Sequence, residues 1–222
     1  ITNSGSEIEP KTLCLLTNNE LHPGQMDESG QAQLSLTFES GVHDWILDRI
    51  SVLKSGSWTT AFTVKPGCRN LLFNRALLKN YFMGFNVISS KELTNCTRNI
   101  TIQNSRLDRM TDAGIDNDRA AIMLLGEPWN ASNTVMQDIH IVNNEIVNAN
   151  DGVMSLRDSS KGGKLANFPG LWILYNDIYV TNEVYSNGKG VKDVNGLFAM
   201  TENALDLKAG SDDILNPVYI AH

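Results

Sequence analysis

The sequence predicts an all-β solenoid, in which short strands joined by bends wind into coils that stack along one axis. Three observations carry this. First, an apolar residue is followed five positions later by another at Trp45/Ile50, Leu72/Leu77, Ile102/Leu107, Ile141/Ile146 and Ile173/Ile178. Side chains on a strand alternate faces with period two, so an odd offset needs a bend that resets the parity. The expected bends, at 47–48, 74–75, 104–105, 143–144 and 175–176, each contain Asn or Asp, the non-glycine residues that best tolerate a left-handed backbone. Second, a further apolar alternation follows each bend: Phe62/Val64, Phe85/Val87, Ile122/Leu124, Val153 with 154–156, and Leu205/Leu207. Small residues (Ala61, Gly84, Ala121, Gly152, Ala204) precede them, as a tight corner requires. Third, the strand-bend-strand unit recurs at roughly 25 to 40 residues, the spacing of stacked repeats.

In order along the chain, residues 1–33 read as an irregular segment rich in Asn, Gly, Ser and Glu, and residues 34–38 alternate cleanly as the first strand of the coil region, 34–222. The five anchors Trp45, Leu72, Ile102, Ile141 and Ile173 are expected to stack as one inward column. The run 153–156 can be registered two ways, one residue apart. Two excursions, 108–120 and 181–201, interrupt the rhythm and would flank one edge of the solenoid, where long loops shape grooves. Residues 218–222 repeat the apolar-x-apolar strand start of 100–102, 139–141 and 171–173. They should therefore pair with 171–173, and the chain reads as part of a longer solenoid.

The 222 residues carry a net charge of −7 with only 19% charged side chains, and no Lys/Arg cluster of the kind that grips phosphates is present, which argues against a nucleic-acid partner. No apolar run reaches the roughly 20 residues that span a bilayer. The chain begins Ile1-Thr2 without an initiator Met, consistent with removal of a leader and a secreted, cell-surface or periplasmic location. Three cysteines, Cys14, Cys68 and Cys96, are expected as buried thiols, a Cys68–Cys96 disulfide being the alternative. His140, between Ile139 and Ile141, belongs on the outward face of a strand.

The motifs at 100–105, 139–144 and 202–210 resemble those of the right-handed single-stranded parallel β-helix, the pectate-lyase-like superfold, over residues 34–222. Within it, the segment 202–211 is similar to a motif of the polysaccharide lyases that include chondroitinase B and the β-helix alginate lyases. That resemblance implies Glu202 as a calcium ligand and Lys208 as catalytic base; the family's second acid is replaced here by Asn203 or Ala204.

The residue types support the same chemistry independently. Asp118, Asp151 and Glu202 fall at the start of the same strand column in successive rows, with Asp206 close by, and carboxylates stacked at about 4.8 Å need a proton or a cation among them. Oxygen ligands of this kind suit calcium. Uronate β-elimination would then use Lys208 as base with Arg119 or Arg157 opposite, on an acidic polysaccharide bridged by calcium. Two alternatives stand beside this lyase reading. One is a non-catalytic glycan-binding or structural module, in which Trp129, Trp172 or Tyr179 line a shallow face. The other is a glycoside hydrolase using a carboxylate pair from Asp116, Asp118, Asp151, Asp206 and Glu202.

Overall fold

A computed structural model of the chain describes residues 1–2, 4–5, 11–14, 35–52, 60–89, 96–110, 120–126, 135–156, 167–181 and 203–222. The strands β1 (Lys11–Cys14) and β2 (Leu36–Phe38) come first. Four coils then supply three strands each: β3 (His43–Asp48), β4 (Ser51–Val52) and β5 (Thr60–Val64); β6 (Arg69–Asn74), β7 (Leu77–Tyr81) and β8 (Met83–Ile88); β9 (Thr97–Gln103), β10 (Arg106–Met110) and β11 (Ala120–Leu125); β12 (Met136–Val142), β13 (Glu145–Val147) and β14 (Asp151–Leu156). The next turn contributes β15 (Trp172–Leu174), β16 (Asp177–Tyr179) and β17 (Asn203–Leu207), and β18 (Tyr219–Ala221) follows.

Corresponding strands stack in parallel into three sheets: β1-β3-β6-β9-β12-β15-β18, β4-β7-β10-β13-β16 and β2-β5-β8-β11-β14-β17. The fold is a right-handed single-stranded parallel β-helix, the hand that parallel crossovers adopt almost without exception.

The five-residue offset is present in every row, but its residues differ in the first two. The inward column of the first sheet runs Leu47, Phe73, Ile102, Ile141, Ile173, and that of the second runs Val52, Leu78, Leu107, Ile146, Ile178. Trp45 pairs instead with Leu71, and Leu72 stacks on Ile46. Where Leu71, Leu72 and Phe73 are all apolar, hydrophobicity alone cannot set the parity. Shape decides it: the Phe73 ring packs edge-on against Phe38 and Phe85, at 5.6 and 5.2 Å between centroids, filling the first coils as Leu72 could not. The corner column expected from Phe62, Phe85, Ile122, Val153 and Leu205 forms as a continuous register, and Val153 and Ser155, not Met154 and Leu156, align with it.

The bends explain how each coil closes. Among the described residues, all non-glycine residues with positive φ fall into three columns: Asp44, Asn70, Asn99 and Asp138; Arg49, Arg75, Asn104, Asn143 and Tyr175; and Asn80, Arg109 and Asn148. Hydrogen bonds between successive rungs offset the left-handed cost. Asn70 Nδ2 donates to Asp44 Oδ1 at 2.7 Å, Asn99 to Asn70 at 2.8 Å, and Asn143 to Asn104 at 2.7 Å. Just inside the second column, buried Asn144 accepts from the Ser105 N–H at 3.0 Å and donates to the Ile102 carbonyl at 2.9 Å. The first-row bend lies at Arg49, past the expected 47–48.

β1 pairs in parallel with β3, so ordered strand occurs inside the segment read as irregular; four residues are too few for alternation to show. The segment 218–222 does pair with β15, through Tyr219 with Trp172 and Ile220 with Ile173. Cys68 and Cys96 are buried free thiols: Cys68 Sγ lies 3.1 Å from the Glu39 carbonyl, and burial pushes its pKa up to about 11. No helix among the described residues is long and apolar enough to cross a membrane.

Candidate functional site

Every inward column has an outward neighbour, and on the first sheet that neighbour reads Ile46, Leu72, Thr101, His140, Trp172, Tyr219. Its last three members form an aromatic ladder. The His140 ring lies against Trp172 with centroids 4.9 Å apart and planes 28° apart, and Tyr219 meets Trp172 edge-on at 5.6 Å. The backbone enforces this geometry, because Ile139, Ile141, Leu171 and Ile173 point into the core and leave the residue between each pair facing out. Trp172 is 40% and Tyr219 48% exposed, where a polar side chain would be usual.

Among the described residues, the surroundings of the ladder are mostly uncharged. Two positions further along each strand, the same face carries Val142, Leu174 and Ala221. On the other side lies Asp138, exposed at the left-handed bend of β12. Its Oδ1 occupies the space above Gly170, where a Cβ would sit only 2.5 Å away, so the next rung needs glycine there both for room and for its φ of +72°. Burial lowers the pKa of His140 below its usual value, with the Asp138 charge acting in the opposite direction, and the imidazole is neutral at neutral pH.

The residues singled out from sequence are distributed over several faces. Trp172 is the centre of the ladder. Tyr179 lies on the second sheet instead, where its hydroxyl donates to Glu145 Oε1 at 2.5 Å and Glu145 in turn pairs with Arg106, also at 2.5 Å. The Glu145 contact pushes the Tyr179 pKa up. Lys208 Nζ is 2.7 Å from Asp206 Oδ2. Buried Asp151 accepts from Asn203 Nδ2 at 3.2 Å, and the register pairs Asp151 with Asn203 but Asp206 with Met154, three residues further along. Asp206 is thereby directed to Lys208 rather than grouped with Asp151. Asp116, Asp118, Arg119, Trp129, Arg157 and Glu202 lie outside the described residues. Among the described residues, no group of three or more His, Cys, Asp or Glu side chains is placed to hold a metal ion.

His140 and Tyr219 were not singled out from sequence as partners of Trp172, although the signal exists. In the strand starts 139–141, 171–173 and 218–220 the outward residue is His, Trp and Tyr in turn. Comparison of the chain with family models, curated proteins and solved structures finds no match.

Proposed function

We propose that this β-helix binds carbohydrate, with the His140–Trp172–Tyr219 ladder as its platform. The observation that carries the reading is the continuous, outward-facing row of three rings on successive rungs, His140 and Trp172 stacked and Tyr219 edge-on. Pyranose rings present an apolar C–H face that packs on aromatic faces, while tyrosine hydroxyl and imidazole nitrogen satisfy sugar hydroxyls. Rungs spaced at about 4.8 Å offer a chain-like ligand a regular series of such contacts without conformational change.

Binding is preferred over β-elimination because of what surrounds Lys208. A general base must be free to reach the substrate proton, and Lys208 Nζ instead lies 2.7 Å from Asp206 Oδ2. Affinity electrophoresis through gels containing soluble polysaccharides tests the proposal: the wild-type chain should be retarded by at least one polymer, and Trp172→Ala should migrate as in a polymer-free gel. Equal retardation of both proteins would sink it.

A further inference from the structure

We infer that the glycan taken by this ladder is a neutral one, not a uronate or sulfated chain; the inference rests on the carbohydrate-binding reading above. An anionic polysaccharide places a carboxylate or sulfate on each charged unit, and a surface that takes it must meet those groups with Lys, Arg, protonated His or a cation. The ladder column offers none of these. Thr101, Trp172 and Tyr219 are uncharged, and His140 is held neutral at neutral pH by partial burial beside Trp172. The flanking column of Val142, Leu174 and Ala221 is apolar.

Among the described residues, the charge next to the platform is of the wrong sign for an anion. Asp138 lies two residues from His140 on β12 and is exposed. Its carboxylate can accept hydrogen bonds from sugar hydroxyls but repels a uronate. Among the described residues, the cations of this sheet, Arg69 and Arg98 included, lie off the ladder column. Arg49 and Arg75 converge on Asp48 in the first coils, Arg49 Nε at 3.2 Å and Arg75 Nε at 2.7 Å. Arg98, the one cation of β9, precedes the left-handed bend at Asn99, whereas the ladder position Thr101 follows it. At the far end His222 Nε2 faces Asp177 at 3.1 Å. Aromatic faces, apolar flanks and the acceptor carboxylate of Asp138 together complement an uncharged, hydroxyl-bearing chain.

Isothermal titration at pH 7.5 separates the possibilities, with cellohexaose, xylohexaose and mannohexaose as neutral probes and hexagalacturonate, with and without calcium, as the acidic one. Wild type should bind at least one neutral probe about tenfold or more tightly than hexagalacturonate, and Trp172→Ala should remove that binding. Asp138→Asn, which the left-handed column tolerates because Asn70 and Asn99 occupy it elsewhere, should narrow the gap severalfold. Hexagalacturonate binding as tightly as the neutral probes and depending on Trp172 would overturn the neutral-glycan inference while leaving the carbohydrate reading intact. Binding of no probe, or binding indifferent to Trp172→Ala, would overturn both.

Discussion

His140 and Trp172 occupy the same position on adjacent rungs, and their rings lie face to face at 4.9 Å. The contact joins packing to ligand chemistry, since each ring supports the other's orientation while leaving aromatic surface exposed. Losing it should be felt in binding far more than in folding. Trp172→Ala should weaken glycan affinity about tenfold or more, the stacking term of about 0.5–1.5 kcal/mol adding to lost contact area. The melting temperature should fall by only a few degrees, because Trp172 is 40% exposed. A calorimetric scan beside the binding titration checks both halves.

Protonation of His140 should cost stability. Its folded pKa lies below the usual 6.5 because burial disfavours the imidazolium. The unfolded chain therefore binds more protons between the two values, so stability is complete above about pH 6.5 and declines as pH falls through the folded value. His140→Gln should lose less stability than wild type between pH 7.5 and 5. Parallel pH dependences of the two melting temperatures would refute the assignment.

Tyr175 adopts a φ of +55°, a conformation that bulky residues occupy at a penalty of about 1–2 kcal/mol. The equivalent positions one and two rungs earlier are Asn143 and Asn104. Tyr175→Asn should therefore raise stability by about 0.5–1 kcal/mol, measured as a shift of the denaturant midpoint at constant slope.

Asn144→Ala should be the most damaging of these substitutions. It strands the buried Ser105 N–H and removes the two bonds the Asn144 amide donates, to the Ile102 carbonyl at 2.9 Å and to Asn176 Oδ1 at 3.0 Å. One buried N–H left unpaired and two further hydrogen bonds lost predict a loss of about 2–4 kcal/mol by chemical denaturation. A loss under about 1 kcal/mol would mean that the asparagine stack is incidental to the coil.

Lys208→Ala separates the binding reading from the lyase one. Glycan affinity should be unchanged, and no unsaturated product should accumulate from uronate polymers with either protein. Absorbance at the unsaturated-uronate band that disappears in the variant would restore Lys208 as a base.

How much of this was legible in the sequence depends on how each feature is encoded. The odd offset was legible in the later rows because Ile100-Thr101-Ile102 and Ile139-His140-Ile141 alternate with a polar residue, which fixes the parity, and each run between Ile102/Leu107, Ile141/Ile146 and Ile173/Ile178 contains Asn. In the first coils Trp45-Ile46-Leu47 and Leu71-Leu72-Phe73 are apolar throughout, and only ring packing around Phe38, Phe62 and Phe85 chooses the register. The bends were found through Asn104 and Asn143, yet the left-handed residue is Arg49, Arg75 or Tyr175 in the other rows, where rung-to-rung contacts rather than local preference hold the conformation. Arg75 illustrates this: its guanidinium is bound to Asp48, whose carboxyl it holds below the usual range. Trp172 was recognisable as an aromatic at an outward position. Its separation from Tyr179, and its company with His140 and Tyr219, depend on coil lengths that join residues far apart in sequence.

The account is tested most directly by the indole N–H resonance of Trp172 in a 1H–15N spectrum, assigned by its loss in Trp172→Phe, during titration at pH 7.5 with the neutral hexasaccharides. Binding by the ladder predicts that this resonance shifts saturably with at least one of them, along with the backbone amides of His140 and Tyr219, while that of Trp45, packed against the core, stays in place. A Trp172 resonance unmoved at saturation, or unmoved by every probe, would contradict it.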